Sequence, residues 1–252
     1  MLFFHSGSLA RVEAHQDPNI GRILQPRDFS RLAETLAGGY RVAIDCGGYT
    51  GVQIDTYTRM ITKIRGILNS DTLRGLAPHC GLPSTQAPDP NQPNPFGEPP
   101  SKTPPPANLV WVVVPDVRED AAHTFLNFQW LAPLMSDLPL AYVVQDGSGE
   151  IGIPFDTPNL RCLFLAGSDT YKQSLEMQQI AAEGKARGLW IHGAPCNSEQ
   201  RAQLLASLGC DSFDGTGASK FPGLIPRYLR WAGEAEATRP PARTTSTAGG
   251  TQ

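Results

Sequence analysis

Three aspartates stand at the ends of apolar runs: Asp45 after Arg41 to Ile44, Asp116 after Leu109 to Pro115, and Asp214 at the close of Cys210 to Phe213. A carboxylate in such a place is poorly hydrated, so its pKa rises unless a donor satisfies it, and a raised carboxyl suits proton transfer. Two carboxylates facing a sugar carbon also suit displacement at C1′, one attacking to form a glycosyl ester while the other handles the proton of the leaving group. A third has a separate use. The edge of guanine presents N1–H and an exocyclic N2–H side by side, and one Asp accepts both, while a Gln amide serves O6 or N7. Taken singly, each aspartate reads first as a helix cap or a turn carboxylate. Three in equivalent places shift the balance toward one shared site.

Polar or glycine-bearing clusters recur at the same place in each unit. Asp45-Cys46-Gly47-Gly48-Tyr49, Pro115-Asp116-Val117, Gln145-Asp146-Gly147, Ala166-Gly167-Ser168-Asp169, His192-Gly193-Ala194-Pro195 and Ser212-Phe213-Asp214-Gly215 all follow or close an apolar stretch. Gly47 and Gly48 let backbone approach a flat ligand closely.

The elements that must position these residues are strands alternating with helices. Strands are predicted at 2–5, 41–45, 109–115, 140–145, 161–166, 189–192 and 210–214, and helices at 27–37, 55–68, 120–135, 170–187, 198–208 and 221–235. Continuous apolar strands each followed by helical spacing are the mark of parallel βα units, with both faces of the sheet covered. The expected fold is an α/β (β/α)8 TIM-barrel-like domain, whose strand-end loops form the active face. Its eighth strand is degenerate or concealed between Ser6 and Ile23, and an open doubly wound sheet is the alternative.

At 252 residues one large core is expected, spanning 1–237, with a disordered tail over 238–252. Within it, 75–107 reads as a mobile Pro-rich insertion, since 78–106 hold eleven of the 23 prolines and almost nothing apolar. It is either a lid near the strand-end face or a variable linker, the linker slightly favoured. The net charge of −3 supplies no global attraction to a polyanion, so a nucleic-acid partner needs a local basic patch. The five cysteines form no Cys-x-x-Cys pair, and His15, His79 and His123 lack ligand spacing, so neither metal nor cofactor is expected, while His5, like His192, ends a strand and is either a pocket residue or a packed core histidine. Without a signal peptide or a run of about 20 apolar residues, a cytoplasmic protein with no membrane partner is expected.

The strand-end clusters resemble the tRNA-guanine transglycosylase superfamily, a barrel family that exchanges guanine for a 7-deazaguanine. Its Asp-Ser-Gly-Gly-aromatic motif is similar to Asp45-Cys46-Gly47-Gly48-Tyr49, and its Gly-x-Asp-x-Phe-Asp motif to Gly209-Cys210-Asp211-Ser212-Phe213-Asp214, the more specific of the two. The resemblance covers roughly residues 40 to 222 as scattered motifs. It implies Asp214 as nucleophile, Asp45 as general acid/base and Asp116 as acceptor for the guanine edge. Gln145 and Gly167 are implied as further base-pocket contacts, with Gly47, Gly48 and Tyr49 lining the same pocket. Cys46 replaces the family's Ser, and no Cys and His cluster follows Cys210 to form the zinc site of the tRNA-acting bacterial members. Together with the short chain, these departures point to the compact relatives that insert 7-deazaguanines such as preQ0 into DNA in phages and bacterial modification systems. The implied partners are guanine-containing DNA, or RNA, and the free deazaguanine base, with a second copy or accessory modification proteins left open. Duplex DNA would have to be flipped or opened to reach the pocket.

Several residues keep two readings. His192 lines the pocket, orients Asp214 or meets a phosphate, or else it is a packed core histidine. Asp211 replaces Asp214 as the attacking group if the register is off; residues 211 and 214 point to opposite faces of a strand, and Phe213-Asp214 at its end favours Asp214. Lys220 and Arg227, with Lys172, Lys185, Arg201 and Arg230, are candidate phosphate contacts, although such residues on helices are most often a solvated face. Two other functions remain: a non-catalytic base-binding partner subunit, and a two-carboxylate (N-)glycoside hydrolase acting through Asp45 and Asp214.

Overall fold

A computed structural model describes residues 1–7, 17–26, 32–47, 54–68 and 105–237, together with Glu13 and His15. Eight parallel strands close into a barrel in sequence order: β1 (Leu2–His5), β2 (Ile20–Leu24), β3 (Val42–Ile44), β4 (Leu109–Val113), β5 (Leu140–Val144), β6 (Leu160–Leu165), β7 (Trp190–Gly193) and β8 (Ser212–Asp214). β8 returns to pair with β1, which rules out an open doubly wound sheet.

The strand missing from the sequence reading is β2. It lies at the end of the window proposed for it and runs one residue past Ile23. Gly21 and Arg22 hide its apolar character, and both have structural reasons. A Cβ on Gly21 would stand 2.7 Å from the Phe4 ring, so glycine leaves room for that ring. Arg22 is buried, and its guanidinium donates to Thr35 Oγ1 at 2.8 Å and to the Gly7 carbonyl at 3.0 Å.

The helices depart from expectation where a local hydrogen bond offers the backbone another partner. The single helix expected over 170–187 is two, α5 (Asp169–Lys172) and α6 (Leu175–Ala186), because the Ser174 hydroxyl accepts from Met177 N–H and caps a new start. The stretch from 120 to 135 is α3 (Ala121–Leu131), capped by Asp120, followed by a 3-10 turn at Ala132–Met135 that contains Pro133. Chain order is completed by α1 (Leu32–Ala37), α2 (Ile54–Leu68), α4 (Ser148–Ile151), α7 (Glu199–Ser207), α8 (Thr216–Lys220) and α9 (Ile225–Ala237). α8 was not expected from sequence, and residues 27–31 of the helix predicted over 27–37 lie outside the described residues.

Strand alternation divides the core in two. One face packs under the helices. The other fills the barrel with Phe4, Trp111, Phe164 and His192, whose rings meet at centroid distances of 4.5 to 5.8 Å although they come from β1, β4, β6 and β7. Contacts among non-neighbouring strands are possible only through the interior.

At the strand-start end the carboxylates are paired with cations. Arg65 of α2 is fully buried and donates to both oxygens of Asp137, at 3.0 and 2.7 Å, and to the Leu134 carbonyl at 2.7 Å. Asp211 accepts from Lys185 Nζ at 2.8 Å and from the Ile191 N–H at 2.8 Å. Leu68 closes α2 and Leu109 opens β4, so the Pro-rich segment is attached at this end. The segment therefore joins a helix to the next strand, not a strand to its helix. Residues 69–104 and 238–252, the sites of the expected mobile insertion and disordered tail, lie outside the described residues.

Candidate active site

Two residues beyond the aromatic layer, the same inward alternation reaches Gln25, Asp45, Gln145, Ala166, Ala194 and Asp214 at the barrel mouth. Ala166 and Ala194 are small, so the space above the aromatic floor is left to the polar residues around them.

The three aspartates come together there. Asp45 accepts from Gln25 Nε2 at 3.0 Å. Burial is the main reason its carboxyl lies above the usual range, with the charge of Asp116 adding to the shift and the Gln25 bond opposing it. Asp116 accepts from Gln145 Nε2 at 2.7 Å on one oxygen and from the Cys46 thiol at 3.2 Å on the other. Burial raises its pKa too, against those two bonds. Asp214 is pushed up to about 8, first by burial and then by Asp45, with Lys172 opposing. Asp45 therefore feels one carboxylate and acts on the other, and the aspartates form one electrostatic unit. Asp211 sits at the far end of β8, tied to Lys185, so Asp214 alone of the two faces the mouth.

Gln145 is bonded at both ends of its amide. Its Nε2 holds Asp116, and its Oε1 accepts the Glu119 N–H at 3.0 Å. Glu119 is the one non-glycine residue among those described with a left-handed backbone, at φ 58°. A strain on the order of 1 kcal/mol is typical of such a residue and is held here by the Gln145 bond. Gln145 thus orients Asp116, and keeps a second amide N–H and a second oxygen lone pair beyond these two bonds. Gly47 adopts φ +76°, in the left-handed region that favours glycine. Gly48 and Tyr49 lie outside the described residues.

His192 belongs to the barrel floor. It is wholly buried, its Nδ1 lies 2.8 Å from Ser212 Oγ, and burial lowers its pKa to about 3, so it is neutral and packed. Of its two readings, this placement is the core histidine.

The cations separate clearly. Lys220 and Arg227 are exposed on α8 and the first turn of α9, which follow Asp214. Arg230 pairs with Glu234 at 3.7 Å, and Lys185 is at the opposite end of the barrel. Arg201 pairs with Asp169 and donates to the Pro195 carbonyl. Lys172 is buried.

No protein-family model matches the chain, and no curated protein matches it. Its chemistry must therefore be argued from the site.

Three residues at the mouth were not singled out by sequence reasoning for the parts they play. Gln25 stands beside Asp45 because β2 and β3 run in register, and it was missed with its strand. Asp146 accepts from Ser168 N–H and Oγ, at 2.7 and 2.6 Å. Lys172, weighed only as a phosphate contact, donates to the Gly167 carbonyl at 2.7 Å. Among the described residues no group of three or more His, Cys, Asp or Glu is placed to hold a metal, and no helix is long and apolar enough to cross a membrane.

Proposed function

We propose that this barrel is a base-exchange glycosyltransferase that replaces guanine in a polynucleotide, DNA in preference to tRNA, with a 7-deazaguanine such as preQ0. The observation that carries the reading is that Asp45 interacts with both Asp116 and Asp214 at the strand-end mouth, each in a different environment. Asp116, clamped by Gln145 and Cys46, is held to receive the N1–H and N2–H edge of a purine. Asp45 and Asp214 share the space where a sugar carbon would lie. Asp214 attacks C1′ and guanine departs with a proton supplied by Asp45. The incoming base then loses its proton to Asp45 as its nitrogen displaces Asp214 from C1′.

The raised pKa of Asp214 favours a second assignment within the same chemistry. Neighbouring carboxylates that cannot both ionise share a proton as a pair, and the group held near 8 keeps it at neutral pH. In that assignment Asp214 is the acid and Asp45 attacks. The two are separated by the pH profile of kcat/KM: attack by Asp214 requires a rise up to about pH 8, and acid catalysis by Asp214 requires a fall above it. Peptide mass mapping of the glycosyl adduct, trapped by denaturation during turnover, identifies the attacking residue directly.

The decisive experiment supplies labelled preQ0 with plasmid DNA or bulk tRNA and digests the product to nucleosides. Label in deoxynucleosides supports the reading. Label in neither polymer, with sugar released and no base entering, would favour a glycoside hydrolase instead.

A further inference from the structure

The segment that follows Asp214 differs in charge from the rest of the surface. From Gly215 to Gly233 it holds Lys220, Arg227 and Arg230 and no acidic residue, in a chain whose net charge is −3. Elsewhere surface cations pair locally, Arg187 with Glu183, Lys185 with Asp211 and Arg201 with Asp169. Arg230 likewise reaches Glu234. Lys220 and Arg227 are exposed and pair with no carboxylate among the described residues.

Between those two cations in sequence stands Phe221, with 65% of its surface exposed. Apolar residues exposed singly are ordinary, but this one is carried on pinned backbone at the strand-end rim. The Phe221 N–H donates to the Gly217 carbonyl at 2.8 Å, its carbonyl accepts from the Leu224 N–H at 2.9 Å, and Pro222 follows with its fixed φ. α8, which ends one residue before Phe221, is tied to two strand-end loops. The Gly217 N–H donates to Asn197 Oδ1 at 3.4 Å, in the loop after β7, and Ser219 Oγ shares a hydrogen bond with Ser6 Oγ, just after β1. The ring is therefore held on the same face of the barrel as Asp214, in a turn flanked by two unpaired cations.

A planar apolar ring between cations suits an unpaired polynucleotide strand. The ring offers its face to a base, and the cations meet the phosphates on either side. When a target base leaves its stack to enter the mouth, the base beside it loses a stacking partner. We propose that Phe221 replaces that partner, stacking on the nucleotide adjacent to the target guanine while Lys220 and Arg227 meet the flanking phosphates. The proposal rests on the base-exchange reading and adds to it the surface that receives the strand.

The test is fluorescence anisotropy of the full chain with a labelled single-stranded DNA oligonucleotide containing one guanine, across a salt series. Phe221→Ala is expected to weaken binding roughly tenfold and to leave the slope of log affinity against log salt unchanged, because stacking releases no counterions. Phe221→Trp binds at least as tightly as the wild type, and Phe221→Leu, apolar but without a ring, binds like Phe221→Ala. Lys220→Gln and Arg227→Gln each reduce the slope by about 0.7, the share of one phosphate on a single strand. Wild-type affinity in Phe221→Ala, or full rescue by Phe221→Leu, overturns the proposal while base exchange, read from labelled preQ0, stands. A wild-type chain that binds the oligonucleotide through Phe221 but incorporates no labelled base overturns the base-exchange reading alone. One that binds no oligonucleotide overturns both.

Discussion

The two ends of the barrel use the same residue types in opposite ways. At the strand-start end, Asp137 and Asp211 each face a cation, Arg65 or Lys185, and accept further donors around them. At the strand-end mouth, Asp45, Asp116 and Asp214 face one another, with neutral donors on two of them and only the more distant Lys172 opposing the charge on Asp214. One end satisfies its carboxylates. The other leaves them frustrated, and poorly satisfied carboxylates are those able to exchange protons or attack. This is the division between stability and chemistry expected of the two faces of a β/α barrel.

The contrast is broken most sharply at Asp214. Asp214→Asn is expected to lower base exchange by roughly 10³-fold or more, measured as release of labelled guanine from DNA, because the substituted group can neither attack nor exchange its proton. The opposite end answers in stability. Arg65→Met leaves Asp137 buried without its cation and should cost about 3–5 kcal/mol in urea unfolding, with activity per folded molecule retained.

Asp214 also has a stability effect, of reversed sign. Its folded pKa of about 8 lies above the ordinary 3.8, so between those values the native state holds a proton that the unfolded chain has lost. Stability contributed by this group is complete below about pH 4 and falls as pH rises toward 8. Asp214→Asn removes the loss, and its unfolding free energy should exceed that of the wild type by an amount that grows between pH 5 and 8, on the order of several kcal/mol at the top. A constant difference across that range would mean the mouth carboxylate is satisfied after all.

Smaller effects sharpen the picture. Gly21→Ala forces a methyl against the Phe4 ring in the floor and should cost about 1–3 kcal/mol in the same unfolding measurement. Asp211→Asn, at the exposed edge of the satisfied end, should cost about 1 kcal/mol or less and leave exchange unchanged, where an attacking Asp211 would abolish it.

Reading the residues in order was enough to find seven strands, most helices, the (β/α)8 architecture and the three aspartates, because apolar runs, helical spacing and strand-end polarity are local properties. β2 escaped because its Gly21 and Arg22 make sense only once Phe4 and Thr35 are beside them. The helix over 170–187 was read as continuous because Ser174 competes for a backbone N–H that spacing alone does not reveal. Closure of the barrel decided the rest. It put the Pro-rich segment's attachment on the face away from the mouth, sank His192 among aromatic rings, and turned Gln145 toward Asp116. It also set Asp45 between two other carboxylates. Charge and burial act through space, so the raised proton affinity of Asp214 depends on neighbours 169 and 42 positions away, Asp45 and Lys172, that only the closed sheet brings near.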